Sequence, residues 1–591
     1  MGNRTRQGSY PYLPAFLAFS AVLILNALFY LPFLSDDALI SMRYSARLAD
    51  GDGLTWTDGP AVEGYSNLLW VLLTAAGVFA GISGVATVRL LGIISMICFV
   101  FCVLFAYRKN ITREHMIVLL FAVLSAPLGV WAIGGLEQPL VAALLALSIP
   151  LVWRIIDNRD AGVQVYFSSS IPLALLCITR PDGAIFTFIA VLVLLFSGYG
   201  KRSFLLAVLP ALFVLGQLGF RLGYYGDYVP NTARIKMRPS VHYSIEGIKY
   251  LIRGAFVLFP LSLFSVAATV KAVRKRHTRT LLPAAMALVW MLYLILIGGD
   301  IFPAYRHFVP LVVLFTWICI EEFPKIRRTT GTVFLFAVTL LLFVVLQYTD
   351  SRNREARKEL WEWDGQVTAL VLKEAFGERE PLLAVTAAGA LPYWSELPSF
   401  DMLGLNDRYL AMNQGGSAEK GLPGHNVCNP DYILERQPDI ISFNVAGEPS
   451  GLAVAESLSS SGEFQRLYSR VTVRGTWPYT CHGVLWFNRE SAVLGIEKTA
   501  DSIAIPAYFF NMYKHTVTHN QNEIPGITIT AEVPAGIVLA DLPDAGEWIP
   551  AEHSQHFSIL LQPAGDSLMV ELSTDHTEPV FIRRVVLIRA L

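Results

Sequence analysis

Apolar residues dominate the first 349 positions and come in runs long enough to matter. Eleven such runs stand near 12–34, 85–107, 115–132, 136–156, 165–179, 184–199, 203–222, 252–271, 281–298, 305–321 and 331–349. A helix of about 20 apolar residues spans the hydrocarbon layer, so the pattern predicts a polytopic α-helical membrane protein with about 11 transmembrane helices. A further run at 68–79 is expected not to cross but to lie in the outer leaflet. Basic residues between the runs set the orientation: Arg108, Lys109, Arg113, Arg154, Arg159, Lys201, Arg202, the KAVRKRHTR stretch at 271–279, and Lys325, Arg327 and Arg328. With these loops inside, the N-terminus is cytoplasmic and everything after the last run is extracytoplasmic. The first run reads as an uncleaved signal anchor, and the localisation as the bacterial inner (plasma) membrane.

After residue 349 the pattern changes. Short apolar runs alternating with helix-like stretches predict an α/β region over 350–490. Alternating β-branched and polar residues between Gly-, Pro- and Asp-rich turns (ITITAEV, FSILLQ, SLMVELS, VFIRRVVLI) predict a β-sandwich over 491–591. The transmembrane part is then 1–349, with its first outer loop at 35–84.

Composition agrees. Hydrophobic residues make up 54% of the chain and charged ones 16%, where a soluble domain carries about 25%. A net charge of −1 gives no reason to expect nucleic acid as a partner; membrane lipid is the expected one. Four of six cysteines fall in apolar runs, and the other two, Cys428 and Cys481, could pair in an oxidising compartment. There is no P-loop, paired CxxC or HExxH, so neither nucleotide hydrolysis nor a standard zinc site is expected.

Candidate chemistry concentrates in 35–67, SDDALISMRYSARLADGDGLTWTDGPAVEGYSN. Asp36 and Asp37 open it at the bilayer surface. Capping a helix over 38–49 accounts for one carboxylate but not two beside a membrane, where ionised groups are costly. A carboxylate there suits a general base acting on a sugar hydroxyl or, if configuration is retained, a nucleophile, and it could equally hold the acceptor or a cation; Asp36 is the first choice, with Asp37 close behind. Arg180, Arg234, Lys236, Arg306 and His307, in the outer loops, are expected to converge on a donor phosphate; each alone would equally bind anionic lipid. Tyr44, Trp56, Tyr65 and Trp70 suit stacking on sugar rings or an interfacial belt. Asp36, Asp37 and Glu63 offer hard oxygen ligands, so a divalent cation is the one cofactor considered, and no metal site is assigned.

The layout and several motifs resemble the GT-C superfamily of polyprenyl-phosphate-sugar glycosyltransferases. Residues 35–70 are similar to the first-loop signature of the mycobacterial terminal arabinofuranosyltransferase family, roughly DDAxIxxRYAxNL, GxGLxxNxG and VEGYTNxLW. Further matches are GLEQPL at 135–140, TRPDG at 179–183, VPNTARIK at 229–236, GGDIFPAYRHFVP at 298–310, DMLGLNDRYLA at 401–411 and PGHN at 423–426. Ser45, Arg47 and Asp58 depart from the pattern mildly. The resemblance implies acceptor activation by the Asp36–Asp37 pair and donor-phosphate contacts from the basic loops. It implies substrate contacts from Arg43, Tyr44, Glu63, Tyr65 and Asn67. It extends these to Glu137, Asp182, Asn231, Asp300, Asp407 and His425, with a C-terminal region that helps bind a glycan. The expected activity is transfer of a sugar, arabinofuranose, from a polyprenyl-phosphate donor to a cell-envelope glycan acceptor. The alternatives are a lipid-linked sugar transporter or flippase, which should carry ionisable residues near mid-membrane, and a non-catalytic glycan-binding assembly protein.

Overall fold

The computed structural model describes residues 11–236, 240–322, 329–414, 425, 427–443, 447–449, 451–475, 478–494 and 497–506, and strand segments between 531 and 589. Lys325, Arg327 and Arg328 lie outside the described residues. The chain forms two units. One holds 1–54, 65–230 and 237–360; the other holds 55–64, 231–236 and 361–591.

The first unit is helical, and each of the eleven expected segments is helix. Among the described residues six helices are long and apolar enough to cross a membrane, or up to eight if two bent pairs each count as one. Where the pattern predicted a single span at 252–271, the structure has Val241–Val257 followed by Leu261–Lys275, bent by 99°. The break falls at Pro260, which has no N–H to continue the ladder and clashes with the preceding turn. The bend at 53° between Arg113–Leu124 and Ala126–Ile133 likewise precedes a proline, Pro127. The 44-residue apolar run Pro181–Tyr224 is interrupted by Gly198 at φ +88°, and its halves pack against each other. Leu68–Phe79 is a helix of 12 residues, about 18 Å long and too short to cross a layer of about 30 Å. At the centre is Phe308–Glu322. All of its residues but Glu321 are buried, as expected for a helix apolar on every side.

The second unit is built on a five-stranded sheet in the order Ser399–Asp401, Leu383–Val385, Ile440–Ser442, Cys481–Asn488, Tyr468–Gly475. Its first three strands run parallel and the last two antiparallel. Their short β-branched and apolar cores are fully buried, which is why they read as continuous apolar runs rather than as alternation. Helix Trp361–Phe376 packs on the two antiparallel strands. A core of Ala384, Phe400, Ile441, Phe443, Val454 and Phe464 also takes in Ile235, from the short helix Asn231–Lys236, distant in sequence. Beyond residue 496 all described strands pair antiparallel, in sheets of four, three and two.

Candidate active site

Ser35 is extended (φ −88°, ψ 139°) and precedes helix Asp36–Asp50, which ends at Gly51 in the left-handed region (φ +96°). That conformation has no side-chain penalty only for glycine. Asp36 and Asp37 therefore both lie in the first turn, where the helix dipole favours negative charge. Asp36 is 8% exposed, whereas Asp37 is half-buried, so Asp37 is the more open of the two.

A hydrogen-bonded chain ties this helix to three other segments. Ser41, one turn on, donates to the Asp37 carbonyl (3.2 Å). Asn67 Nδ2 donates to Ser41 Oγ (3.2 Å) and to Glu137 Oε2 (2.9 Å). Arg180 Nη1 donates to the other oxygen, Glu137 Oε1 (2.5 Å), and grips Asp182 through Nε (2.9 Å) and Nη2 (2.7 Å). Tyr293 closes the chain by donating to Asp182 Oδ2 (3.1 Å). Local sequence explains the placement of Arg180. Pro181 keeps it extended (φ −152°, ψ 139°) at the end of helix Val163–Thr179, which turns its side chain out of the helical path.

A second cluster comes from the GGDIFPAYRHF motif. Arg306 makes a bidentate pair with Asp300 (2.8 and 3.0 Å) and stacks on Phe302. His307 Nε2 lies 4.0 Å from Asp300 Oδ2, and Arg352 donates to the Asp300 carbonyl. Tyr293 is within electrostatic reach of both Arg180 and Arg306, and Asp182 of His307, so the two clusters belong together. The guanidinium groups of Arg180 and Arg306 pair with three carboxylates, Glu137, Asp182 and Asp300, and that of Arg352 lies beside the last through its carbonyl. The expected cations are present, but their charge is already matched.

The other expected residues fall elsewhere. Arg234 belongs to the second unit, as do Glu63, Asn231, Asp407 and His425; the Lys236 side chain lies outside the described residues. In that unit three matched motifs meet. The Asn231 N–H donates to the Glu63 carbonyl (3.0 Å), and its side chain to the carbonyls of Gly404 (3.3 Å) and Asp407 (3.1 Å). Gly64 sits against Asn406: a Cβ there would lie 2.0 Å from Asn406 Oδ1. Ser399 N–H donates to Thr57 Oγ1, and Gln414 donates to the Arg234 carbonyl.

Two expectations need correction. Tyr44, Trp56, Tyr65 and Trp70 are each no more than 3% exposed, so none offers a ring face to a sugar. Tyr44 and Tyr65 instead pack on each other (4.9 Å), Tyr65 meets Tyr225 OH (3.2 Å), and Trp70 donates to Gly135 O. Arg43 is likewise buried. Cys428 and Cys481 are both free. The Cys481 thiol faces Asp364 on helix Trp361–Phe376 and is pushed up to about 11 by burial and that carboxylate, while Cys428 is pinned by its backbone to Gln414. Among the described residues no three His, Cys, Asp or Glu side chains are grouped to hold a metal; Asp36 and Asp37 lie in one unit and Glu63 in the other. Sequence reasoning missed Ser41, Tyr293 and Arg352; a hydroxyl within the apolar run 281–298 was the available signal for Tyr293.

Residues 354–492 match the family described as a domain of unknown function, DUF8728. A stretch of 220 residues is 26% identical to the terminal β-(1→2)-arabinofuranosyltransferase of Mycobacterium tuberculosis (strain ATCC 25618 / H37Rv). The likeness in sequence to an arabinofuranosyltransferase holds over that stretch. The match spans 34% of this chain and 35% of the relative, about a third of each. Among solved structures, ArnT of Cupriavidus metallidurans bound to undecaprenyl phosphate is 15% identical (65% of this chain, 85% of that one, TM-score 0.47). The archaeal oligosaccharyltransferase AglB of Archaeoglobus fulgidus, in complex with an inhibitory peptide and a dolichol-phosphate, is 10% identical (80% and 74%, TM-score 0.48). The arabinofuranosyltransferase AftD from mycobacteria is 10% identical (99% and 58%, TM-score 0.45).

Proposed function

We propose that this chain is a membrane glycosyltransferase that moves a sugar, arabinofuranose, from a polyprenyl-phosphate donor to an extracytoplasmic glycan. The observation that carries the reading is the buried chain Ser41–Asn67–Glu137–Arg180–Asp182. It fixes the helix bearing Asp36 and Asp37 against the loops that bear the cations. The network thus holds the carboxylate-bearing helix in place before substrate arrives. The sequence likeness to a terminal arabinofuranosyltransferase supports the choice of sugar.

In this reaction the acceptor hydroxyl forms a bond to the anomeric carbon as the bond from that carbon to the donor phosphate oxygen breaks. A first-loop carboxylate takes the hydroxyl proton. Its greater openness favours Asp37 for the contact with the hydroxyl, with the buried Asp36 beside it. The polyprenyl phosphate leaves with its negative charge and needs electrostatic stabilisation more than protonation. Arg180, Arg306 and His307 would provide it, in exchange for part of their pairing with Asp182 and Asp300. Substrates are then met on the extracytoplasmic face, with the N-terminus cytoplasmic and the second unit outside.

The test is transfer by the purified full chain from polyprenyl-phosphoryl arabinofuranose to arabinan oligosaccharides. A labelled, lengthened glycan is expected. Absence of turnover with this and other polyprenyl-phosphate sugars, together with movement of lipid-linked sugar across liposomes, would replace the enzyme by a transporter.

A further inference from the structure

With the first-loop aromatics buried, a flat open ring has to be sought elsewhere, and the second unit holds one. Helix Arg408–Met412 is capped by Asp407, whose Oδ1 accepts the Leu410 N–H (2.8 Å). Leu410 and Ala411 enter the core, which turns Tyr409 and Met412 outward, 48% and 51% exposed. The Tyr409 ring lies on that of Tyr432 at 4.1 Å and 24°. Tyr432 comes from helix Pro430–Glu435, is backed by Phe400, and donates its hydroxyl to Asp407 Oδ2 (3.4 Å). Tyr409 is thus held flat from behind with nearly half its surface open.

We propose that the Tyr409–Tyr432 stack with the Asp407 carboxylate is a saccharide-binding subsite of the second unit, taking a sugar residue of the acceptor glycan. A sugar ring has one face of C–H groups and a rim of hydroxyls. The first is complementary to an exposed aromatic face and the second to charged and amide groups at its edge. Polar groups stand close by: Asp407 is half-buried, Asn413 is exposed and donates to the Tyr409 carbonyl (3.0 Å), and Arg436 is exposed with its charge within reach of Asp407 and Tyr432. One tyrosine and one methionine form a patch far smaller than a protein interface, which takes about 800 Å² per partner. The mount is rigid: the Asp407 carbonyl accepts from Asn231, which in turn holds the Glu63 carbonyl. The identity of the ligand rests on the proposed transfer reaction; the subsite itself does not.

Two measurements on the full chain in detergent separate them. In acceptor kinetics with arabinan oligosaccharides, Tyr409→Ala and Tyr409→Leu are expected to raise the acceptor KM about three- to tenfold. The donor KM and kcat stay near wild type, and Tyr409→Phe restores the acceptor KM. Leu keeps bulk without a flat ring, so it reports stacking even if the alanine variant folds poorly. In saturation-transfer NMR, an arabinan oligosaccharide should receive saturation from wild type and Tyr409→Phe but not from Tyr409→Leu. A wild type that transfers no sugar yet shows this NMR pattern keeps the subsite and removes the enzyme reading. Unchanged acceptor KM and unchanged saturation transfer in Tyr409→Leu would overturn the subsite.

Discussion

Arg180 makes ion pairs to two carboxylates that are themselves nearly out of solvent, so its removal leaves two buried negative charges unmatched. Breaking a buried pair from one side costs about 3–5 kcal/mol. Arg180→Ala should lower the stability of the detergent-solubilised protein by about that much, measured by thermal unfolding; a melt like that of wild type would contradict the pairing. Gly64→Ala tests the other unit. Its methyl group would collide with Asn406, which Asp401 holds through two bonds, so overpacking should cost about 1–3 kcal/mol in the same measurement. The motif residues were legible because each sits in a dense polar word within apolar text. Their partners were not. That Arg180 is spent on Glu137 and Asp182, and that Tyr44 and Tyr65 face each other, follows from long-range packing that spacing along the chain does not encode.

Helices were the most readable elements, since runs such as 84–106 and 138–157 satisfy both length and composition. The bend before Leu261 was missed because an apolar run reads through a proline that the backbone cannot. The short strands of the second unit hide a titration. Asp401 ends strand Ser399–Asp401, and burial pushes its carboxyl from 3.8 up to about 6. Bonds from Leu403, Asn406 N–H and Asn406 Nδ2 limit that shift. Between these two values the folded unit keeps a proton that the unfolded chain has lost. Its stability therefore falls as pH rises from about 4 to about 6, by about 3 kcal/mol in all. Burial moves Asp407 in the same direction. Calorimetry of the unit's transition across this window should show it, and the Asp401→Asn variant should flatten the slope whatever its absolute stability. A transition that strengthens with rising pH would contradict the assignment.

Hydropathy places a boundary after residue 349, yet the second unit also includes 55–64 and 231–236, which a linear reading assigns to loops of the first part. The reason is physical: Ile235 is a core residue of the second unit, and Asn231 is 3% exposed with both side-chain bonds inside it. A fragment of 361–591 alone lacks these pieces and should melt below the same unit in the full chain; equal melting temperatures would show the two segments to be dispensable. The apolar helices of the first unit, by contrast, were written plainly in the sequence. The central claim is that the first-loop carboxylates serve sugar transfer, and transfer by the full chain with Asp36→Asn and Asp37→Asn measures it most directly. Using polyprenyl-phosphoryl arabinofuranose and an arabinan acceptor, wild type should transfer, and at least one variant should lose about 100-fold or more, the usual contribution of a positioned base. Wild-type rates in both variants, with wild type itself active, would contradict it.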